Sequence, residues 1–208
     1  MSGPLLNLIS QGVRLWLYSV CDELQHLNLQ LEGSVLAMLG GNLEGAKLEA
    51  KGVVFQSLAI ATVELQSEPI SFDLTQLLKG KDLKLNKRFR IHGKVEFSGE
   101  GLCKSLANPH WLSFSNNLAT ILFGNSKLKS YEISENKLTL YSGQGESINC
   151  GLEVIDGELW LTPITAANSK AIQVPLDSAI RLEELSINQQ HLTLSGSSIV
   201  SVKSAELK

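Results

Sequence analysis

The central part of the chain alternates apolar and polar residues in a pattern that predicts β-strands. In the segment KLEAKGVV (47–54), every second residue is small or apolar and the residues between them are mostly charged. A period of two is that of a strand with one buried and one solvent-facing side. From Val53 to Leu65 apolar residues occupy both parities, so this part of the sheet is expected to be apolar on both faces. Such a sheet must be covered twice, by helices, by a second sheet or by a ligand.

The segment from Leu5 to Leu24 predicts an amphipathic helix. Its apolar residues recur at steps of three or four, the spacing of one helical face: Leu5, Ile9, Val13, Trp16, Val20 and Leu24. Leu15 and Leu17 widen this apolar face beyond what one side of a sheet needs. Two interpretations remain open: a core helix lying along the sheet, and a helix that also touches lipid, at a membrane surface or inside a groove.

Two segments share the order strand, serine, leucine-rich helical turn and glycine. They are residues 27–41 and 63–80, and their glycines (Gly40 or Gly41, and Gly80) are typical of a helix C-terminus. The pattern predicts a duplicated strand–short helix–strand unit at 27–62 and 63–107 within a single domain spanning 1–208. Two copies are too few for a solenoid.

Residues 79–90, KGKDLKLNKRFR, concentrate positive charge. Apolar residues alternate with basic ones here, which predicts a strand with one apolar and one cationic face. One interpretation is a solvated edge strand whose lysines oppose aggregation. The other is a patch that meets anionic headgroups, where each basic residue contributes about 1 kcal/mol near a charged surface. The six basic residues are Lys79, Lys81, Lys84, Lys87, Arg88 and Arg90.

Two further helices are predicted after a strand at 90–98. The first spans Gly101 to Ala107, with Ser98 or Glu100 as its N-cap. The second begins at Asn108-Pro109, an N-cap followed by proline at the first helical position, and ends at Gly124. It carries no Asp, Glu, Lys or Arg, which indicates burial on several sides or contact with something apolar.

The C-terminal third predicts strands and turns. Leu-x-Leu segments follow polar turns, and Asp156-Gly157 is a strong hairpin signal. We expect an antiparallel meander over 128–203 that ends in an edge strand near residues 199–202.

Composition and charge narrow the class of protein. Of the 208 residues 43% are hydrophobic and 19% charged, which is typical of a folded chain. The net charge of −3 gives no global reason to bind nucleic acid. Cys21, Cys103 and Cys150 are expected to be reduced, partly buried thiols. We expect neither a signal peptide nor a membrane-spanning helix, and a location in the cytoplasm or on the cytoplasmic face of a membrane.

No catalytic or metal-binding pattern is recognisable. The four histidines are far apart, and the sequence contains no G-x-S-x-G, H-E-x-x-H or P-loop motif. We therefore expect no catalytic residue, no metal and no cofactor.

The segment from Leu29 to Gly80, together with FSGEGLCKSLA (97–107) and GLEVIDGELWLTP (151–163), resembles the LmeA-like phospholipid-binding family. The likeness consists of short leucine-rich helices closed by glycine, paired strands with a V/L-x-V-x-L rhythm, and these two later segments. It extends over most of the chain, from about Ser10 to Leu194. The resemblance implies a curved antiparallel sheet with helices in its concavity and a hydrophobic groove that accepts phospholipid, as in tubular lipid-binding architectures.

Together these patterns predict an α+β fold: a curved, mostly antiparallel β-sheet meander with an N-terminal amphipathic helix and short helices packed in its concavity. The predicted function is non-catalytic binding of phospholipid or another acyl-chain ligand, with an anionic membrane surface as a further partner. The alternatives are a scaffold that holds proteins through edge strands and an apolar helix, and a lipid-modifying enzyme. The predicted groove residues are Val13, Trp16, Leu17, Val20, Phe55, Ile60, Trp111, Phe114, Leu118, Ile121 and Leu122; the headgroup candidates are the six basic residues of 79–90.

Overall fold

The fold was analysed in a computed structural model, which describes residues 4–75, 84–124, 127–134, 137–164 and 170–201. It is an α+β arrangement of curved, open antiparallel sheets with an N-terminal helix and short helices, which confirms the predicted fold class. The helices are α1 (Pro4–Val20), α2 (Val35–Leu39), α3 (Gly99–Leu106) and α4 (Leu112–Phe123).

The described strands belong to three sheets. In chain order they are β1 (Glu23–Glu32), β2 (Asn42–Leu43), β3 (Gly45–Phe55), β4 (Leu58–Ser67), β5 (Ile70–Ser71), β6 (Phe89–Ser98), β7 (Leu128–Ser134), β8 (Lys137–Ser142), β9 (Ser147–Ile155), β10 (Glu158–Pro163), β11 (Ile172–Gln173), β12 (Ile180–Asn188) and β13 (His191–Val200). A six-stranded sheet has the order β1-β3-β4-β6-β13-β12, a five-stranded sheet the order β11-β10-β9-β8-β7, and β2 pairs with β5.

The last strand is not an edge strand, contrary to the sequence prediction. β13 lies between β6 and β12 and pairs with both along its length. The hairpin β12–β13 thus leaves the C-terminal meander and completes the first sheet. The reason is its buried leucines, since Leu192 and Leu194 pair with Phe97 and Val95 of β6 and share one core cluster with Phe97.

The six-stranded sheet has one apolar and one polar face. Directly paired residues form rows across all six strands, and paired side chains lie on the same side of a sheet. Two successive rows of one face contain only apolar residues and glycine: Leu27, Ala50, Val63, Val95, Leu194 and Leu185; then Leu29, Leu48, Leu65, Gly93, Gly196 and Leu182. The row between them, on the other face, is polar throughout: Asn28, Glu49, Glu64, Lys94, Ser195 and Glu184.

The expectation of a sheet apolar on both faces is therefore wrong. In most of β4 every second residue lies on the apolar face, but Ile60 and Val63 both lie on it although they are three residues apart. Ile60 packs on the cluster of Phe97, and Val63 pairs with Val95. The partner strand β3 makes the same step from Ala50 to Val53, across Gly52 with φ +59°. Because of this three-residue step, apolar residues of one face fall on even-numbered positions before it and odd-numbered positions after it. In the sequence this looks like a sheet that is apolar on both faces.

Two predicted helix ends are corrected. α1 ends at Val20, because the Asp22 backbone N–H donates to the Val54 carbonyl and strand pairing begins at Glu23, so Leu24 belongs to β1. α4 begins at Leu112 instead of Pro109, because the Asn108 side chain accepts a hydrogen bond from the His110 N–H and closes a separate turn. The predicted Ser98 cap of α3 is confirmed, since its hydroxyl accepts from the Gly101 N–H at 3.0 Å.

The basic segment is a strand only from Phe89 onwards. Before it, Leu85 makes an isolated bridge with Phe72, and residues 86 and 87 form a bend. Residues 76–83, which hold Lys79, Lys81 and most of the second predicted short helix, lie outside the described residues. The proposed duplication therefore stays a prediction.

Candidate functional site

The buried core of the described residues is divided into three clusters. The cluster around Phe97, Ile133 and Leu192 lies between the six-stranded sheet, the five-stranded sheet and α3. The cluster around Leu118, Leu140 and Cys150 lies between α4 and the five-stranded sheet. The third cluster lies at the far end of β1, under α1 and α2, and consists of Ile9, Met38, Leu43 and Phe72.

The apolar face between these clusters belongs to none of them. We call this area the floor; it consists of the β1, β3 and β4 members of the two apolar rows, namely Leu27, Leu29, Leu48, Ala50, Val63 and Leu65. Leu29 and Ala50 are buried, and the other four side chains are half-buried. α1 packs against β1 at one side of the floor, and α3 packs against β4 and β6 at the other. The floor is thus an apolar strip with helices on both sides.

Helix α1 is held at its N-terminal half and exposes its C-terminal half. Ile9 is buried in the third cluster and Val13 packs against it. The Arg14 guanidinium donates to the Leu27 carbonyl on the free edge of β1, with an Nη1–O distance of 3.5 Å. Beyond this point Leu15 and Trp16 are 72% and 59% exposed. The apolar excess predicted for this helix is therefore present as accessible surface.

Buried hydroxyl groups set the position of α3 and α4. The Ser105 hydroxyl accepts from the Ala59 N–H of β4 at 2.8 Å and donates to the Gly101 carbonyl at 2.7 Å. The Ser115 hydroxyl donates to the Leu106 carbonyl and accepts from the Tyr131 hydroxyl. Burial raises the pKa of Tyr131 to about 12, so its phenol stays protonated and keeps donating.

The hairpin between β3 and β4 closes one end of the sheet. The Asp22 carboxylate accepts from the Ser57 N–H at 2.9 Å, and the Trp111 indole N–H donates to the Gln56 carbonyl at 3.1 Å. The hairpin is thereby tied to both the end of α1 and the start of α4. Phe55 at this end is 41% exposed.

The structure does not bring the predicted groove residues into one place. Ile60 packs on the cluster of Phe97, while α4 directs Phe114, Leu118 and Leu122 into the cluster of Leu140. Leu17 and Trp111 are half-buried. The remaining ones, apart from Val13, are exposed on three different elements: Trp16, Val20, Phe55 and Ile121.

The floor was missed by sequence reasoning, because each strand contributes only two of its residues. Alternation was visible in β3 alone, and the rows appear only when the register of neighbouring strands is known. In the sequence, Leu27-x-Leu29, Leu48-x-Ala50 and Val63-x-Leu65 are the same short signal repeated three times.

The described headgroup candidates differ in their surroundings. Lys84, Lys87 and Arg88 are exposed, and none of them forms an ion pair with a described residue. Arg90 is half-buried on β6, with its Nε atom 4.0 Å from a Glu68 carboxylate oxygen and a further contact to the Ser197 hydroxyl. The first three are therefore the more accessible cations.

The described residues contain little else of chemical interest. All three cysteines are free; Cys150 is fully buried, more than expected from the sequence, and the other two are partly buried. Burial raises the pKa of the Cys150 thiol to about 11, and burial together with Asp22 raises that of Cys21. No group of three or more His, Cys, Asp and Glu side chains among them is placed to hold a metal. None of the described helices has the length and apolar character needed to cross a bilayer.

A cavity with a mixed polar and apolar lining lies at the other edge of the six-stranded sheet. It has a volume of about 360 Å³ and lies beside β12, lined in part by Arg90, Asp156, Asp177 and Arg181. It contains none of the floor residues, and charged groups on its wall make it a poor place for an acyl chain.

Comparison with known proteins identifies a family for this chain. The model of a family described as LmeA-like phospholipid-binding matches residues 2–204. No match was found among the curated proteins or among the solved structures. The match spans nearly the whole chain, so it includes both large sheets, all four described helices and the floor. The chain therefore belongs to the LmeA-like phospholipid-binding family.

Proposed function

We propose that this chain binds a phospholipid non-catalytically, with the acyl chains lying along the floor between α1 and α3. The observation that carries this proposal is the pair of uninterrupted apolar rows, whose β1, β3 and β4 members belong to none of the core clusters. Burial of an acyl chain stabilises by about 0.8 kcal/mol per methylene and needs apolar area instead of placed polar groups. Family membership supports lipid as the ligand.

Apolar residues on α1 and around the β3–β4 hairpin fit this proposal as the rim of the floor. Trp16, Val20 and Phe55 are exposed, and Val13, Leu17 and Trp111, whose indole bonds the hairpin, are half-buried. A ligand lying against these side chains would remove apolar surface that otherwise contacts water, which is favourable. The sequence-predicted residues on α4 remain a prediction.

The protein acts, in this proposal, as a peripheral membrane protein that exchanges lipid with a bilayer on the cytoplasmic side. The exposed Lys84, Lys87 and Arg88 contact anionic headgroups during that exchange. Cell fractionation followed by a salt wash tests this location, since electrostatic attachment is released by salt.

The scaffold alternative is less well supported by the contacts at the sheet edges. Arg14 of α1 bonds the free edge of β1, and the Leu182 N–H of β12 donates to the Gly157 carbonyl. Each edge of the six-stranded sheet therefore has a contact within the chain.

The proposal is tested by uptake of a fluorescent phospholipid in solution. Leu48→Gln places a polar side chain in the floor and is expected to weaken binding about tenfold, since about 1.4 kcal/mol of apolar burial is lost. The matched control is Glu49→Gln, on the polar face of the same strand, which is expected to bind like the unaltered protein. Unaltered protein that takes up no lipid, or equal binding by both variants, would contradict the proposal, provided that circular dichroism shows both variants folded.

A further inference from the structure

Helix α2 exposes large apolar side chains along most of its length. Three of its five side chains are large, apolar and solvent-accessible: Val35 is 56%, Leu36 81% and Leu39 59% exposed. Clustered exposed apolar side chains mark interaction sites more often than scattered ones do. The sequence patterns did not single out these three residues, because the alternation of β1 and β3, which flank α2 in the chain, is the stronger pattern.

The exposure of α2 is a fixed feature of the fold. A five-residue helix is not stable by itself, and this one is held at both ends. The Ser34 hydroxyl accepts from the Ala37 N–H at 3.2 Å, and the Gly41 N–H donates to the Met38 carbonyl at 2.9 Å. Met38 is 2% exposed and anchors the helix in the third core cluster. The opposite side of the helix is thereby turned outwards.

The exposed side chains of Lys84, Lys87 and Arg88 lie at the same end of the molecule as α2. The Gly41 carbonyl accepts from the Phe72 N–H, and β2 pairs with β5 in the adjoining residues. On the far side of β5, the Asp73 N–H donates to the Lys84 carbonyl, and the Asn86 N–H donates to the Ser71 carbonyl. Segment 84–88 is therefore the next chain beyond β5, roughly 10 Å from β2 at two strand spacings. We call α2, β2, β5 and residues 84–88 the α2 end.

The two ends of the six-stranded sheet differ in charge. The α2 end carries Lys84, Lys87 and Arg88; the acidic residues beside it are Glu44, Asp73, Glu32, which pairs with Lys47, and Glu68, which pairs with Arg90. At the hairpin end, residues 18–24, 53–59 and 108–112 contain two acidic residues and no lysine or arginine. The ends are about 33 Å apart along the eleven residues of β3. This separation exceeds the Debye length in physiological salt, so each end presents its own charge to a surface.

We propose that the α2 end is the surface by which the protein docks on an anionic phospholipid bilayer. Val35, Leu36 and Leu39 enter the boundary between headgroups and acyl chains, and Lys84, Lys87 and Arg88 contact the headgroups. The inference rests on the proposed function for its ligand: docking here brings the Leu29–Leu48 end of the floor towards the bilayer from which a phospholipid would enter. The charge of the α2 end favours a bilayer over an uncharged protein partner.

Vesicle binding by paired variants tests this surface. The vesicles are phosphatidylcholine alone or with phosphatidylglycerol, and binding is measured by flotation. The double variant Leu36→Gln/Leu39→Gln is expected to bind anionic vesicles at least about tenfold more weakly. Its control, Leu112→Gln/Ile164→Gln, alters residues of similar exposure (47% and 55%) elsewhere and is expected to bind unchanged. Lys84→Gln/Lys87→Gln/Arg88→Gln is expected to lose roughly 100-fold on anionic vesicles and little on neutral ones.

Insertion itself is read from tryptophan quenching by brominated lipid. Leu36→Trp is expected to gain a quenched component on vesicle addition that Leu112→Trp lacks. Equal binding by the two glutamine pairs, or equal quenching at both positions, would overturn the docking surface. So would a dimer in solution that Leu36→Gln/Leu39→Gln dissociates without affecting vesicle binding, since the face would then meet a second copy.

These experiments test the docking surface and lipid binding by the floor independently. Loss of vesicle binding in Leu36→Gln/Leu39→Gln with intact uptake of soluble fluorescent lipid supports docking at α2 and leaves the floor in place. Normal docking by a protein that takes up no lipid contradicts the proposed function alone.

Discussion

At the scale of single residues, Ser105 joins helix α3 to the sheet. β4 pairs with β6 only from Thr62 onwards. Ala59 precedes this part of β4, so its N–H has no strand partner on that side. The Ser105 hydroxyl supplies the missing acceptor at 2.8 Å while remaining 2% exposed. A buried polar side chain here thus completes backbone hydrogen bonding that the sheet leaves open.

Ser105→Ala should lower the free energy of unfolding by about 1–3 kcal/mol, because the half-buried Ala59 N–H loses its acceptor. Urea unfolding followed by circular dichroism measures the change. Ser113→Ala, at an exposed position of α4, serves as control and should change stability by less than about 0.5 kcal/mol. Equal effects of the two substitutions would show that the Ser105 bond does not stabilise the fold.

The buried Cys150 thiol makes stability depend on alkaline pH. Its pKa is about 11 in the folded protein against an ordinary 9.0, because burial disfavours the thiolate. The raised pKa stabilises the fold below pH 9, and this contribution is lost as the pH rises from 9 towards 11. Thermal unfolding between pH 8 and 11 should therefore decline more steeply in the unaltered protein than in Cys150→Ala. The pKa of Tyr131 is also raised, but equally in both proteins. Parallel curves of stability against pH for the two proteins would contradict the assignment to Cys150.

At the scale of elements, sequence patterns located most helices and strands but not all their ends. The stripe of α1 continued by chance to Leu24, where strand pairing takes over. Asn108-Pro109 has the residue types of a helix start, but the Asn108 side chain accepts from the His110 N–H and closes a separate turn before α4 begins at Leu112. In both cases a local signal was overridden by a hydrogen bond that the local sequence does not reveal.

The three-residue step in β3 depends on Gly52. Its φ of +59° is strained for any residue with a Cβ, and that Cβ would lie 2.4 Å from the Gln25 side chain. Gly52→Ala should therefore destabilise the fold by about 1–2 kcal/mol in urea unfolding. Gly12→Ala is the matched control, because Gly12 is exposed within α1 and a Cβ added there would have no neighbouring atom within 4 Å. It should stabilise by up to about 1 kcal/mol, and a similar gain at Gly52 would contradict the strain.

At the scale of the whole molecule, the fold class followed from period-two patterning together with the family resemblance. The assembly into two large sheets did not, because nothing local distinguishes β12 and β13 from the strands of the meander before them. The floor escaped prediction for the same reason: Leu27, Leu48 and Val63 are far apart in sequence and become one surface only through strand register. The exposed cations, by contrast, could be named in advance, because charge is readable without any pairing.

The division of the core also bears on function at this scale. A sheet whose apolar face carries separate clusters at its two ends, and half-buried leucines between them, has apolar area available to a ligand. In the proposed function, the α2 end and the floor form one path, from a bilayer surface to a binding surface. Each part can be altered without the other, through Leu36 and Leu48 respectively.

The most direct measurement is mass spectrometry of an organic extract of the protein purified without detergent, beside an unrelated protein treated in the same way. A chain that buries acyl groups on its floor should carry phospholipid at about one molecule per chain, and Leu48→Gln should carry about tenfold less. An extract no richer in phospholipid than that of the control protein, together with no uptake of added fluorescent lipid, would contradict lipid binding by the floor.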